Sequence, residues 1–268
     1  TRRIMNPDIE LYKELIQFCE EHMDEIETKF QRHHSFEQIN EDCYEKMFLD
    51  QRHTDAPLAP KVLKEQVSGL TELYKKWTPY YMNPRNSYRK KLDIQLGQWY
   101  EKALQLFFAS KGITVQKRGF PFPDFEVSID GRIVGYYELK FIESPFVTAD
   151  KKLTSFYPYN TPRYDYEASL TLDTGDKMAN QRDKIVSDLL PQGYPVHYIW
   201  WFDCFHIKGV FAMSAQDVFD YYDHLSGDIH QRKQRAGDKE DHQEIGKIYP
   251  PLLNMITFSE LINLYKNA

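Results

Sequence analysis

Two carboxylates and one lysine stand out in the 268-residue chain because their spacing lets them act together: Asp124 in Pro123-Asp124, and Glu138 with Lys140 in Glu138-Leu139-Lys140. The two acids are 14 positions apart (138 minus 124). Paired carboxylates can hold one or two Mg²⁺ ions, which neutralise a phosphate and make a water more acidic. A lysine beside them orients that water or helps to deprotonate it. Hydrolysis of a phosphodiester at neutral pH needs that neutralisation and that water, and this set of groups supplies them.

For the three side chains to meet, the segments that carry them must pair. Phe125-Glu126-Val127-Ser128-Ile129 alternates with period two, Asp130-Gly131 is a hairpin turn signal, and Ile133 to Phe141 reads as the returning, more buried strand. Side chains two apart on a strand share a face, so Glu138 and Lys140 point together while Leu139 points into the core. Asp124 reaches the same face across the hairpin. The strand is otherwise apolar, with Ile133-Val134-Gly135-Tyr136-Tyr137 before the charged residues and Phe141-Ile142 after them. Charges there are costly unless paired, exposed at a sheet end or bound to metal.

The surrounding elements alternate between helix and strand. Asn6 and Pro7 start a helix expected to run to about Arg32, and apolar positions keep helical spacing from 38 to 80. After a break at 83–87, Leu92 to Phe107 mark a long amphipathic helix that Lys111-Gly112 ends. Beyond the hairpin, 143–171 reads as loop, 173–190 as helix, and 195–204 and 206–213 as strands. Ser214 with Asp217 then caps a helix ending near His224. The polar stretch 227–246 reads as an exposed loop, and Thr257 with Glu260 caps a last short helix. The order predicts an α/β fold, a central mixed β-sheet flanked by helices, with an N-terminal helical subdomain. The expected division is a helical region over 1–86 and a core with a C-terminal extension over 87–268.

These elements resemble the PD-(D/E)xK nuclease superfamily and, within it, the type II restriction endonucleases. Pro123-Asp124, Glu138-Leu139-Lys140 and Gly97-Gln98-Trp99-Tyr100-Glu101 on the preceding helix carry the resemblance, which covers roughly 87–213. It implies Mg²⁺-dependent cleavage of double-stranded DNA, leaving a 5′-phosphate and a 3′-hydroxyl. Asp124 and Glu138 would ligate the metal with the main-chain carbonyl of Leu139. Lys140 would position the attacking water and steady developing charge. Glu101 would join the catalytic set directly or through water. A palindromic duplex site presents two equivalent bonds, so a homodimer is expected. A repair, recombination or transposon-end nuclease of the same fold is the nearest alternative. A non-catalytic DNA-binding module is the alternative of a different class.

Other patterns compete less well. Pro7-Asp8 is explained by helix initiation, and Asp150-Lys151-Lys152 lacks a flanking apolar strand. Glu138 and Lys140 could also form an ordinary cross-strand ion pair. Candidate DNA contacts are Arg232, Lys233 and Arg235 in the densest basic stretch, and Arg163, Lys177 and Arg182, which follow the catalytic strand. The histidines His33, His34 and His53 show no ligand spacing, and the many aromatics read as core. A net charge of −6 argues against purely electrostatic DNA binding, but a basic cleft can coexist with it. Cys19, Cys43 and Cys204 form no CxxC pair and read as buried thiols. No nucleotide cofactor is expected without a phosphate-binding GxxxxGK[ST] loop, and no membrane association without a long apolar run. A cytoplasmic location is the corresponding expectation.

Overall fold

The computed structural model of the chain describes residues 6–26, 65–66, 68–72, 90–119, 122–142, 170–172, 175–204, 207–224, 230–232, 245–248, 250 and 254–268. Helix α1 (Pro7–Glu21) starts where expected. Its first amides lack helical partners, and the Asn6 side chain accepts one of them, that of Asp8, at 3.0 Å. The single helix expected to Arg32 is interrupted at His22. The His22 ring stacks on Phe18 at 3.9 Å and places Nδ1 2.8 Å from the Phe18 carbonyl, and a short α2 (Met23–Ile26) follows. The continuation to Arg32, most of 38–80 and the boundary at 86 and 87 lie outside the described residues.

Helix α3 (Lys90–Ser110) ends on Gly112, which adopts a left-handed φ of 78°. There the Gly112 amide donates to Ala109 and the Ile113 amide to Phe108, closing the last carbonyls in the paired pattern that glycine makes possible. Strands β1 (Thr114–Lys117), β2 (Phe125–Ile129) and β3 (Arg132–Ile142) form an antiparallel run. Asp130 and Gly131, with φ of 50° and 77°, make the tight turn between β2 and β3. A register shift between Val127 and Ser128 leaves an extra residue on β3, away from the charged end.

The segment 170–172 forms strand β4 (Leu170–Leu172), followed by α4 (Gly175–Lys184), a π-helical turn Ile185–Leu189 and a 3-10 turn Leu190–Gln192. Strands β5 (Val196–Cys204) and β6 (Ile207–Ser214) and helix α5 (Ala215–His224) come next. β7 (His230–Arg232), β8 (Ile245–Ile248), β9 (Ile256–Thr257) and α6 (Phe258–Lys266) complete the order. The expected caps are present: Ser214 accepts the Asp217 amide at 3.1 Å, and Thr257 and Glu260 form a reciprocal capping box.

One sheet has the strand order β1-β2-β3-β5-β6-β9. The pairing of β3 with β5 advances in the same direction along both chains. The Tyr136 amide donates to the Pro195 carbonyl at 2.9 Å, and further along both strands Tyr137 and His197 lie against the same aromatic pair, Phe108 and Tyr265. These strands are therefore parallel, which requires the long crossover that contains α4. With antiparallel pairs on its other side, the sheet is mixed and flanked by helices, as the element order implies. A second sheet, β4-β8-β7, corrects the reading of 227–246 as loop throughout and extends strand to residue 170. Three short strands drawn from distant segments carry too few residues for a local pattern to show.

By contacts the chain forms two compact units: Thr1–Phe107, Phe141–Tyr166 and Trp201–Val210, and Phe108–Lys140, Glu167–Trp200 and Phe211–Ala268. In the first, Tyr12, Tyr100 and Trp201 are fully buried, and Tyr100 stacks on Phe141 at 5.0 Å. In the second, Tyr137 of β3 and His197 of β5 face the side carrying Phe108 and Tyr265, while Glu138 and Tyr198 face the opposite side. Aromatic side chains are the largest fully buried groups in both, so they are core, as expected.

Candidate active site

The sheet brings together three of the expected residues. The β2–β3 register ends with Phe125 opposite Tyr137, so Asp124 lies just before β2 and Glu138 just after Tyr137 on β3. The Asp124 amide donates to Glu138 Oε2 at 3.2 Å. Lys140 Nζ donates to Glu138 Oε1 at 2.9 Å from the same face of β3. The Glu138 side chain is 8% exposed and that of Lys140 32%, so the pair is anchored in protein and open at the ammonium end. Asp124 is half-buried.

A carboxylate offers about four lone-pair sites, of which these two donors occupy two on Glu138, leaving room for a cation. Carboxylate and main-chain carbonyl oxygens are hard donors of the kind Mg²⁺ takes. That ion commonly uses one or two protein carboxylates and keeps several waters. Among the described residues no three His, Cys, Asp or Glu side chains gather into a metal-sized cluster. The chemistry of Asp124, Glu138 and the Leu139 carbonyl, all oxygen donors, fits Mg²⁺ better than a zinc site built from imidazoles and thiolates.

Three residues that the sequence reading passed over support this arrangement. Arg118 straps the turn before β2: its amide donates to the Asp124 carbonyl at 2.7 Å and its Nη1 to the Pro123 carbonyl at 3.1 Å. Tyr198, fully buried on β5, packs its ring 5.6 Å from Phe122 and donates its hydroxyl to Gln181 Oε1 of α4 at 3.3 Å. Burial, and then the Glu138 charge, push the Tyr198 hydroxyl well above its usual pKa, so it stays a neutral donor. The only local sign of Arg118 is a basic residue six positions before Asp124. Tyr198 and Gln181 have no sign at all, because their contact depends on the crossover.

Glu101 is half-buried on α3 in the first unit. Arg182 is paired on the surface of the second unit with Asp223 of α5 at 2.8 Å, and its guanidinium lies 5.9 Å from the Phe219 ring. The hydrogen bond from Arg182 to Asp223 raises its pKa. Lys177 lies on α4, and Arg232 lies on β7 opposite Ile245. Arg163, Lys233, Arg235, the Asp150-Lys151-Lys152 motif and the histidines at 33, 34 and 53 lie outside the described residues. Cys19 is a buried thiol, as expected, and burial raises its pKa. Among the described residues no helix is long and apolar enough to cross a membrane.

No protein-family model matches the chain. No curated protein sequence matches it either. Among solved structures, a Holliday junction resolvase, Hjc of Archaeoglobus fulgidus, aligns with 61% of this chain and 93% of its own at 12% identity and a TM-score of 0.31. A likeness that slight carries no argument about this chain.

Proposed function

We propose that the chain is a Mg²⁺-dependent nuclease that hydrolyses phosphodiester bonds of double-stranded DNA. The observation that carries the reading is the Glu138 carboxylate, which receives the Asp124 amide on one oxygen and the Lys140 ammonium on the other. The Asp124 backbone and the Lys140 side chain thus both meet the Glu138 carboxylate. The Asp124 and Glu138 carboxylates would hold the ion, with the Leu139 carbonyl as a further oxygen. When bound, the ion supplies charge neutralisation at the phosphate and a more acidic water. Lys140 is tied to Glu138 at its inner side and open to solvent at the other. It orients the attacking water and stabilises the negative charge that builds on the phosphate oxygens. Arg118 holds the Pro123-Asp124 backbone so that the Asp124 carboxylate stays aimed at the same point.

The finer reading is a site-specific endonuclease of type II restriction kind, acting as a homodimer and leaving a 5′-phosphate and a 3′-hydroxyl. Glu101 would assist, and Arg163, Lys177, Arg182, Arg232, Lys233 and Arg235 would contact DNA. Incubation with phage DNA and Mg²⁺ tests this. Discrete bands support a site-specific enzyme, whereas a smear overturns site specificity and leaves the nuclease. Cleavage of branched DNA alone favours the recombination alternative. Uncut DNA with Mg²⁺ and Mn²⁺ on all of these substrates contradicts the reading and leaves a non-catalytic DNA-binding module.

A further inference from the structure

Asp124 stands outside the strand that carries its partners: it precedes β2, whereas Glu138 and Lys140 lie within β3. Its place is therefore set by the residues on either side of it. Phe125, the first residue of β2, opposes Tyr137 and stacks on that ring at 4.9 Å. Phe122, on the other side of Pro123, has its ring 5.6 Å from that of Tyr198 on β5. Both phenylalanines are buried. The two contacts lie on opposite faces of the sheet. Tyr137 and His197 meet the Phe108–Tyr265 pair, so Glu138, next to Tyr137, and Tyr198, next to His197, turn to the other face together.

The Phe125 contact belongs to the β2–β3 hairpin and comes with strand pairing. The Phe122 contact does not, because β5 is reached only through the crossover that contains α4. Tyr198 is a rigid support for it: the residue is 0% exposed, its ring stacks 5.9 Å from Trp200, and its hydroxyl donates to Gln181 Oε1 of α4 at 3.3 Å. Arg118 ties the Pro123 and Asp124 carbonyls back to the end of β1. Tyr198 ties the same turn to β5, the strand on the far side of β3. Two carboxylates share an ion well only when each is held to within about 0.5 Å, and locked packing around a ligand supplies that precision.

We propose that Tyr198 is a positioning residue for metal binding: its ring, packed on Phe122, fixes Asp124 beside Glu138 so that the two carboxylates take one divalent cation. The metal-binding role of the two acids rests on the nuclease reading; the placement of Asp124 rests on the Phe122–Tyr198 contact.

Mn²⁺ binding to the full chain without DNA, followed by electron paramagnetic resonance, reads the two acids without cleavage. Phe122→Leu and Tyr198→Leu should each weaken Mn²⁺ binding about tenfold, the loss typical when a group that orients a metal ligand is removed. Tyr198→Phe keeps the ring and should stay within about twofold of the parent. Phe258→Leu, a buried substitution of the same kind on α6 against Phe108, should lower the melting temperature as Phe122→Leu does and leave Mn²⁺ binding unchanged. Unchanged binding in Phe122→Leu and Tyr198→Leu overturns the positioning role even if the parent binds Mn²⁺ and cuts DNA. An equal loss in Phe258→Leu overturns it too, because the effect would then be one of general stability. Should Tyr198→Leu fail to fold, Phe122→Leu decides alone. A parent that binds Mn²⁺ but never cuts, with the expected losses in the variants, supports the positioning role and removes the nuclease reading. A parent that binds no Mn²⁺ overturns the positioning role, and its action on plasmid then decides the nuclease reading separately.

Discussion

The Lys208–Asp203 pair of the first unit and the Lys140–Glu138 pair of the second join the same two chemical groups at 2.6 and 2.9 Å. Their surroundings differ. Asp203 is 0% exposed and Lys208 3%. Tyr100 donates its hydroxyl to Asp203 Oδ2 at 2.6 Å, while the Tyr12 hydroxyl lies 3.1 Å from the Phe202 carbonyl and 3.4 Å from Asp203 Oδ1 and accepts the Trp201 indole N–H at 3.3 Å. That pair sits inside a hydrogen-bonded aromatic cage that ties α1 and α3 to the β5–β6 hairpin. Lys140 keeps a third of its surface open, and the donors on Glu138 leave lone pairs spare. A buried, fully engaged pair maintains structure, and a pair anchored at one end and open at the other is suited to chemistry.

The largest effect expected from this contrast is on stability. Lys208→Met should cost about 3–5 kcal/mol in urea unfolding, because it leaves the Asp203 charge buried without its counterion. A loss below about 1 kcal/mol would show that the cage does not need the ion pair. Next comes His197, a buried group whose Nδ1 finds no hydrogen-bond partner among the described residues. Burial lowers its pKa from 6.5 to about 4, against a smaller opposing pull from Asp217. The unfolded chain therefore takes up a proton as pH falls through 6.5, and the folded one does so only near 4. Stability from this group is full above 6.5 and drains away on acidification to about 4, at up to about 1.4 kcal/mol per pH unit. His197→Leu should flatten the acid limb of a stability–pH profile in that window, and an unaltered slope would contradict the neutral assignment.

A steric change of similar kind tests the parallel strand pairing on which the site depends. A Cβ at Gly135 would meet the Pro195 carbonyl at 2.9 Å, so Gly135→Ala should cost about 1–3 kcal/mol in thermal or urea melts. A neutral result would mean β3 and β5 are less closely paired than described. Smallest is Lys140→Met, for which the loss should be about 1 kcal/mol or less, since the ammonium is partly solvated and Glu138 retains the Asp124 amide. A loss as large as that of Lys208→Met would erase the distinction between the two pairs.

Local signals made the site's scaffold legible. Asp130-Gly131 marked the hairpin, period-two alternation placed Glu138 and Lys140 on one face, and Asn6, Gly112, Thr257 and Glu260 marked helix ends. Each depends on residues a few positions apart. The break at His22 escaped because it turns on a ring stacked over the preceding helical turn, within an unbroken apolar pattern. The β4-β8-β7 sheet and the Asp203–Lys208 cage escaped because they unite segments distant in sequence. Lys208 gave no warning, lying in an apolar strand five positions from an acid, where burial of both charges depends on tyrosines from α1 and α3. Arg118 was not singled out, because its bonds to Pro123 and Asp124 depend on the folded geometry of the turn before β2.

The most direct test of the central claim is conversion of supercoiled plasmid by the parent protein and by Lys140→Ala, with Mg²⁺ and with EDTA. The account predicts cutting by the parent that needs Mg²⁺ and falls about 10²–10³-fold in Lys140→Ala, with little change in melting temperature. Equal cutting by parent and variant, or cutting that persists in EDTA, would contradict it.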